Sequence, residues 1–378
     1  MTSLHITGGT ILRDGRMEAA DLGISNGRIT NTADGRRINA GGLLVLPGIV
    51  DIHGDAFERQ IQPRPGVNFP MLPALIDTER QLLANGITTA FHGITLSWEP
   101  GLRGIETWRA LLAGLAARAW TCDMRVHLRF ESYNFTALDE AIADIEAGRV
   151  HLLAFNDHTP SILKRLDDDA KASKYSDRAG IDLPAFRARA TKVGARGAEV
   201  PAALARIAAA ARAAGIAMAS HDDDTVATRD SFRDMGARIC EFPMEEAVGR
   251  AARAAGDAVV MGAPNVLRGG SHLGWASAAV LAEAGICSVL SSDYYYPAML
   301  RAAFILVARG KLDLPAAWAL ISENPARAGN LTDRGTFAAG QRGDAVLVED
   351  RAGGPDLIAT IIGGEVAWLS AEGARRLC

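Results

Sequence analysis

Apolar positions recur along the chain in two rhythms. Over the first 45 or so residues they form short alternating runs cut by Asp14-Gly15, Asn26-Gly27, Asp34-Gly35 and Gly41-Gly42. Strict alternation predicts strands, and Asx-Gly pairs predict tight hairpin turns. The far end has the same texture, with runs at 344–348 and 357–362, the turn Gly363-Gly364, and a last run at 365–368. Between these ends, short apolar strands at 49–53, 87–92, 124–131, 151–156, 216–221, 237–242, 258–263 and 287–293 alternate with amphipathic stretches such as 105–119 and 201–214. Eight strands in strict alternation with helices predict an α/β fold, a (β/α)₈ TIM-type barrel over 48–334. Residues 1–47 plus 335–378 are expected to form a small β-sandwich-like domain built from both termini. The stretch 157–200 is longer and more polar than an ordinary crossover and reads as a lid or substrate loop with a helix in it.

Composition narrows the class without changing this picture. Apolar residues make up 48% and charged residues 22% of 378 residues, the balance of a globular enzyme. A formal net charge of −4 supplies no basic field for nucleic acid. An anionic substrate must therefore be met by local Arg and Lys clusters. Cys122, Cys240, Cys287 and Cys378 are far apart and form no Cys-x-x-Cys pair, which indicates neither a zinc knuckle nor a disulfide scaffold and suits a reducing compartment. The N-terminus lacks a basic, then apolar, leader, and no run is long enough to span a bilayer, so a cytoplasmic protein without a membrane partner is expected.

Catalytic groups of such a barrel stand where its strands end. The first strand ends in His53-Gly54-Asp55, the third in Arg129-Phe130-Glu131, and the fourth runs into Asp157-His158. The fifth ends in His221 followed by Asp222, Asp223 and Asp224, the sixth in Glu241, and the eighth in Asp293; the loop after strand seven carries Arg268, Ser271 and His272. Any one of these is better explained as a cap or loop hydrogen-bonder, and most of the run Asp222–Asp224 is assigned to capping the following helix. Together they are not. Four of the eight histidines (His53, His158, His221, His272) fall at or just after strand ends, with carboxylates at several others. Mixed nitrogen and oxygen donors suit Zn²⁺, with Mn²⁺ or Fe²⁺ as alternatives, whereas Ca²⁺ or Mg²⁺ cages need no imidazole.

Leu46-Pro47-Gly48-Ile49-Val50-Asp51-Ile52-His53 resembles the first-strand signature of the amidohydrolase superfamily, and Asn324-Pro325-Ala326 with Gly335 through Asp344-Ala345 resembles its C-terminal one. The superfamily usually carries His-x-His on strand one. Here His53-x-Asp55, with Asp157-His158-Thr159-Pro160, Ser220-His221-Asp222-Asp223 and the loop Arg268-Gly269-Gly270-Ser271-His272, is similar to the diphosphatases of phosphonate catabolism. The chain departs from the superfamily at strand six, where Glu241 replaces the usual His, and at strand four, which ends without Lys. Glu131 is then an alternative bridging ligand, and one ion or two remain open.

The resemblance implies a metal-dependent hydrolase that releases pyrophosphate from α-D-ribose 1-methylphosphonate 5-triphosphate. The expected metal ligands are His53, Asp55, Glu131, His221, Glu241 and Asp293, for one or two divalent ions. Asp293 and His272 are the expected catalytic pair. Arg129, His158, Arg268, Ser271 and His272 are expected to hold the substrate, a small phosphorylated sugar phosphonate, with Arg59, Arg64, Lys164, Arg165, Lys171 and Lys174 as further candidates for its outer phosphates. A homo-oligomer is compatible with all of this. The competing readings are an amidohydrolase acting at a carbon centre (deacetylase, deaminase or cyclic amidase) and a non-catalytic barrel scaffold.

Overall fold

The computed structural model describes residues 3–30, 35–64, 66–270 and 276–377. Eight strands run parallel in sequence order: Ile49–Gly54, Ile87–Leu96, Asp123–Glu131, Leu152–Asn156, Ala217–His221, Ile239–Glu241, Ala258–Gly262 and Val289–Ser291. Each pairs with the next. The ring closes between the eighth and the first through a parallel bridge of Gly54 with Asp293. Their side chains are buried almost throughout, as expected of strands covered on both faces. Helices such as Ile105–Ala116 and Val200–Ala213 lie between them. The sixth and eighth strands are shorter at both ends than the apolar runs that predict them, and they stop early because the backbone leaves the strand through left-handed residues at Phe242 (φ 51°) and Asp293 (φ 53°).

The terminal segments make one further sheet. Ser3–Arg13 pairs antiparallel with Arg16–Ser25 and parallel with both Arg36–Asn39 and Leu44–Pro47. Leu44–Pro47 pairs in turn with Ala345–Arg351, joining the two ends of the chain. The hairpin turns are where Asx-Gly placed them: Asp14 and Gly15 have φ of 48° and 71°, Asn26 and Gly27 of 50° and 75°. Gly8 (φ 73°) sits where the register of the first hairpin shifts between Ile6 and Gly9, a bulge that lets one strand serve two parallel neighbours.

The fourth crossover is not an open loop. It holds the helices Thr159–Leu163, Asp169–Ala179 and Leu183–Gly194, the last two capped by Asp168 and Asp182. They bury Ile162, Leu166, Ala179, Phe186 and Ala190 against Trp98 from the second crossover. Arg178 is bound to Glu99 at 2.8 Å, and Trp98 Nε1 donates to Thr159 Oγ1 at 2.8 Å. This segment is a packed cap over one side of the barrel mouth. Among the described residues, no helix is long and apolar enough to cross a membrane. Cys122, Cys240 and Cys287 are buried free thiols; Cys378 lies outside the described residues.

Candidate active site

The site is built on the seam that closes the barrel. Asp293 N donates to His53 O, and Asp55 N donates to Asp293 O, each at 2.9 Å, so the first and eighth strand ends are tied by backbone. Beneath them the buried Asp51 carboxylate accepts from Ser292 N at 3.0 Å and Ser292 Oγ at 2.5 Å. Burial raises Asp51 to about 6 despite these bonds. Asp222, Phe242 and Asp293, each close behind a strand end, all have left-handed backbone (φ 59°, 51° and 53°). Aspartate tolerates this conformation; for phenylalanine it costs on the order of 1–3 kcal/mol. The Phe242 ring it places packs edge-on against His53 at 4.8 Å and His221 at 5.2 Å.

His53 and Glu241 meet at the floor. His53 Nδ1 stands 3.0 Å from Glu241 Oε1, yet neither atom has a partner in hydrogen-bonding geometry, and His53 Nε2 is likewise buried and unpaired. His221 Nδ1 lies 3.3 Å from Glu241 Oε2, and His127 Nε2, also unpaired, 3.8 Å from the same oxygen. Burial drives His53 and His127 down to about 3 and His221 well below its ordinary value, so the imidazoles present neutral lone pairs. Burial also pushes Glu241 up to about 7, against the pull of His127 and Arg129. Glu241 Oε1 beside the unpaired nitrogens of His53 and His127 is the arrangement a divalent cation satisfies. His53, His221 and Glu241 are mutually close enough to hold one, as are His158, His221 and Asp222.

Above this floor opens a cavity of about 290 Å³, lined by His53, Asp55, Arg129, His221, Arg268 and Asp293 among others. Arg129 is buried and spans two partners: Nη1 is 3.3 Å from Asp55 Oδ2, and Nη2 is 2.8 Å from His221 Nε2. Asp55 therefore faces a guanidinium and belongs to neither His/carboxylate group. Asp293 is pushed up to about 7, first by burial and then by Asp55, which places its proton exchange near neutrality. A larger cavity of about 380 Å³ opens at the opposite end, beside Ala217, Ile239 and Ala258 where strands begin. The titratable groups converge on the first, at the strand ends, where barrel enzymes work.

Glu131 is held elsewhere. It accepts from Thr159 Oγ1 at 2.6 Å, Thr159 N at 3.1 Å and His158 N at 3.2 Å, tying strand three to the start of the cap. His158 bridges Glu131 and Asp222, with Nδ1 and Nε2 at 3.5 and 3.7 Å from their oxygens. Burial alone lowers His158, but these two carboxylates outweigh it and raise its pKa. Arg268 stands exposed at the rim and donates to Tyr294 Oη at 3.4 Å, while Arg59 lies over the same ring at 5.9 Å. Lys171 pairs with Asp168 and Arg165 with Tyr175, so two of the loop cations serve the cap itself. Ser271 and His272 lie outside the described residues.

The helix after strand five is capped by Thr225, which accepts from Thr228 N at 3.1 Å, and not by Asp222 or Asp223. The reason is spacing: the cap must directly precede the first helical residue, Val226. Asp222 is freed to face His158 and His221, and Asp223 binds Ser220 and Arg229. His127 is not marked by a strand end, because it lies four residues inside strand three; its period-two relation to Arg129 and Glu131 is the signal that points to it.

No protein-family model matches the chain. Among solved structures, the β-aspartyl dipeptidase of Fervidobacterium islandicum AW-1 superposes with a TM-score of 0.65 over 98% of each chain, at 13% identity. The 5-methylcytosine deaminase of Klebsiella pneumoniae does so with a TM-score of 0.60 over 97% of each chain, at 16% identity. These likenesses show the fold; a hydrolase of the amidohydrolase type is defined by that fold together with a relative of higher identity. The chain is 31% identical over 352 residues, 90% of its own length and 91% of the relative's, to the α-D-ribose 1-methylphosphonate 5-triphosphate diphosphatase of Escherichia coli K12, and it belongs to that enzyme's family within the amidohydrolase superfamily.

Proposed function

We propose that the protein is a metal-dependent diphosphatase acting on a ribose 1-phosphonate 5-triphosphate, releasing pyrophosphate and leaving the 5-phosphate. The observation that carries this reading is the pairing, in one cavity, of a cation-ready His53–His221–Glu241 floor with Arg129 and Arg268. A triphosphate offers anionic oxygens to both guanidiniums, the buried one on the cavity wall and the exposed one at its rim. The relative named above supports the substrate class.

One divalent ion, with zinc the first choice and manganese or iron the alternatives, would supply Lewis acidity and a readily ionised water. The chain's own residues do the rest. Asp293 accepts the proton of the attacking water, its raised affinity for protons matching that task. Arg129 and Arg268 take up charge on the phosphate oxygens, and His158, fixed by Glu131 and Asp222, orients the ribose end. Ser271 and His272 are assigned to the same substrate, and Glu131 to ordering this wall. Residues 1–47 plus 335–378 form the accessory domain and 48–334 the catalytic one.

The test is pyrophosphate release from the ribose phosphonate triphosphate against nucleoside triphosphates, with metal analysis on the same sample. Preferential turnover of the phosphonate by metal-loaded protein is expected. Inertness toward every triphosphate, with hydrolysis of an amide or amidine, would replace this reading with chemistry at carbon.

A further inference from the structure

We propose that Arg129 and a catalytic cation compete for His221, so that loading the floor with an ion releases a buried guanidinium for the anionic part of the substrate. The inference rests on the metal-hydrolase reading above and concerns how one site couples two ligands.

A guanidinium never gives up its proton under working conditions and has no lone pair, so Arg129 Nη2 must be the donor in its 2.8 Å contact with His221 Nε2. That contact fixes the tautomer. With Nε2 accepting, neutral His221 carries its proton on Nδ1, which points at Glu241 Oε2 3.3 Å away. Neither nitrogen can then bind a cation: one lone pair is taken by Arg129, and the other position holds a proton. Yet His221 is common to both groups of side chains close enough to hold an ion. The imidazole must exchange its guanidinium for the ion, whichever group is filled.

The released arginine has few places to go. Arg129 is 5% exposed, its Nε has no partner, and its remaining contact is Asp55 at 3.3 Å on the cavity wall. A buried guanidinium half-stripped of partners is a costly state that an anion in the cavity relieves. Ion and phosphate are thereby coupled in the favourable direction beyond their direct attraction. In the ion-free protein the same guanidinium holds His221 and Asp55 in place.

Two measurements test this. In protein labelled with ¹⁵N at arginine and histidine, the hydrogen-bond coupling between Arg129 Nη2 and His221 Nε2 should be present before zinc is added and vanish on loading, whichever nitrogen takes the ion. An Arg129–His221 coupling that persists after zinc uptake overturns the proposal. A preparation that takes up no zinc overturns instead the metal-hydrolase reading on which it rests. In Arg129→Met, the zinc dissociation constant from chelator competition should fall at least 10-fold, while the inorganic pyrophosphate constant of the zinc-loaded protein should rise at least 10-fold. A merely structural arginine would weaken both, and that outcome, or an unchanged zinc affinity, refutes the competition.

Discussion

The barrel seam gives the sharpest quantitative expectation. Gly54 lies between His53 and Asp55, where the first strand meets the eighth, and an added Cβ would stand 2.6 Å from Asp51 Oδ2 and 2.8 Å from Ser292 Oγ. Both atoms are fully buried, and neither is the end of a long flexible chain. Gly54→Ala must therefore prise apart the Asp51–Ser292 pair or shift the strand. Losing one charge-assisted hydrogen bond costs about 1.5–3 kcal/mol, and overpacking a tight interior adds roughly 1–3 kcal/mol, so a loss of about 4 kcal/mol is expected. With an unfolding entropy near 2.1 cal/mol/K per residue over 378 residues, that is a fall of roughly 5 °C in Tm. Differential scanning calorimetry measures it, with zinc uptake recorded in parallel because His53 and Asp293 are bonded across the same seam. Gly353→Ala is the control: its added Cβ meets nothing within 4 Å and its backbone is not left-handed, so Tm should stay within about 1 °C. A Gly54→Ala protein that melts with the control would refute the account of the seam.

Three further outcomes follow from the same contacts. Asp293→Asn, in which asparagine accepts the left-handed backbone, should lower kcat on the order of 10³-fold with zinc content retained, as read by steady-state kinetics and metal analysis. His92 is buried against Phe57 and held down to about 4 from 6.5 by burial, so between these values the unfolded chain binds the extra proton. Stability should fall as pH drops through that window, by up to about 3 kcal/mol from this group, and His92→Gln should flatten the slope of Tm against pH between 6.5 and 4. Arg229 is fully buried and binds Asp257 at 3.2 Å, Ser220 and the carbonyl of Ala237. Arg229→Met should cost about 3–5 kcal/mol by stranding the buried Asp223 carboxylate, since Asp257 keeps Arg233 at 2.8 Å. It should also weaken zinc binding, since Ser220 precedes His221; unchanged denaturation and zinc affinity would contradict both claims.

Local rules reach a long way along this chain. Strand and helix periods are properties of ten-residue windows, and a left-handed turn at Asp14-Gly15 is decided by two residues, so eight barrel strands and the terminal hairpins are legible in the amino-acid order by itself. Strand ends then point to His53, Asp55, Arg129, His221, Asp293 and Arg268, which do line one cavity. What the strand ends do not say is which partner each group faces. Asp55 meets Arg129, 74 residues away, and Arg129 meets His221, 92 residues away. Glu131 turns to the backbone of the fourth crossover, and Thr225 relieves Asp222 of capping. Those pairings are settled by distances across a closed ring and by the cost of leaving buried donors and acceptors unpaired, and neither quantity exists until the eighth strand reaches the first.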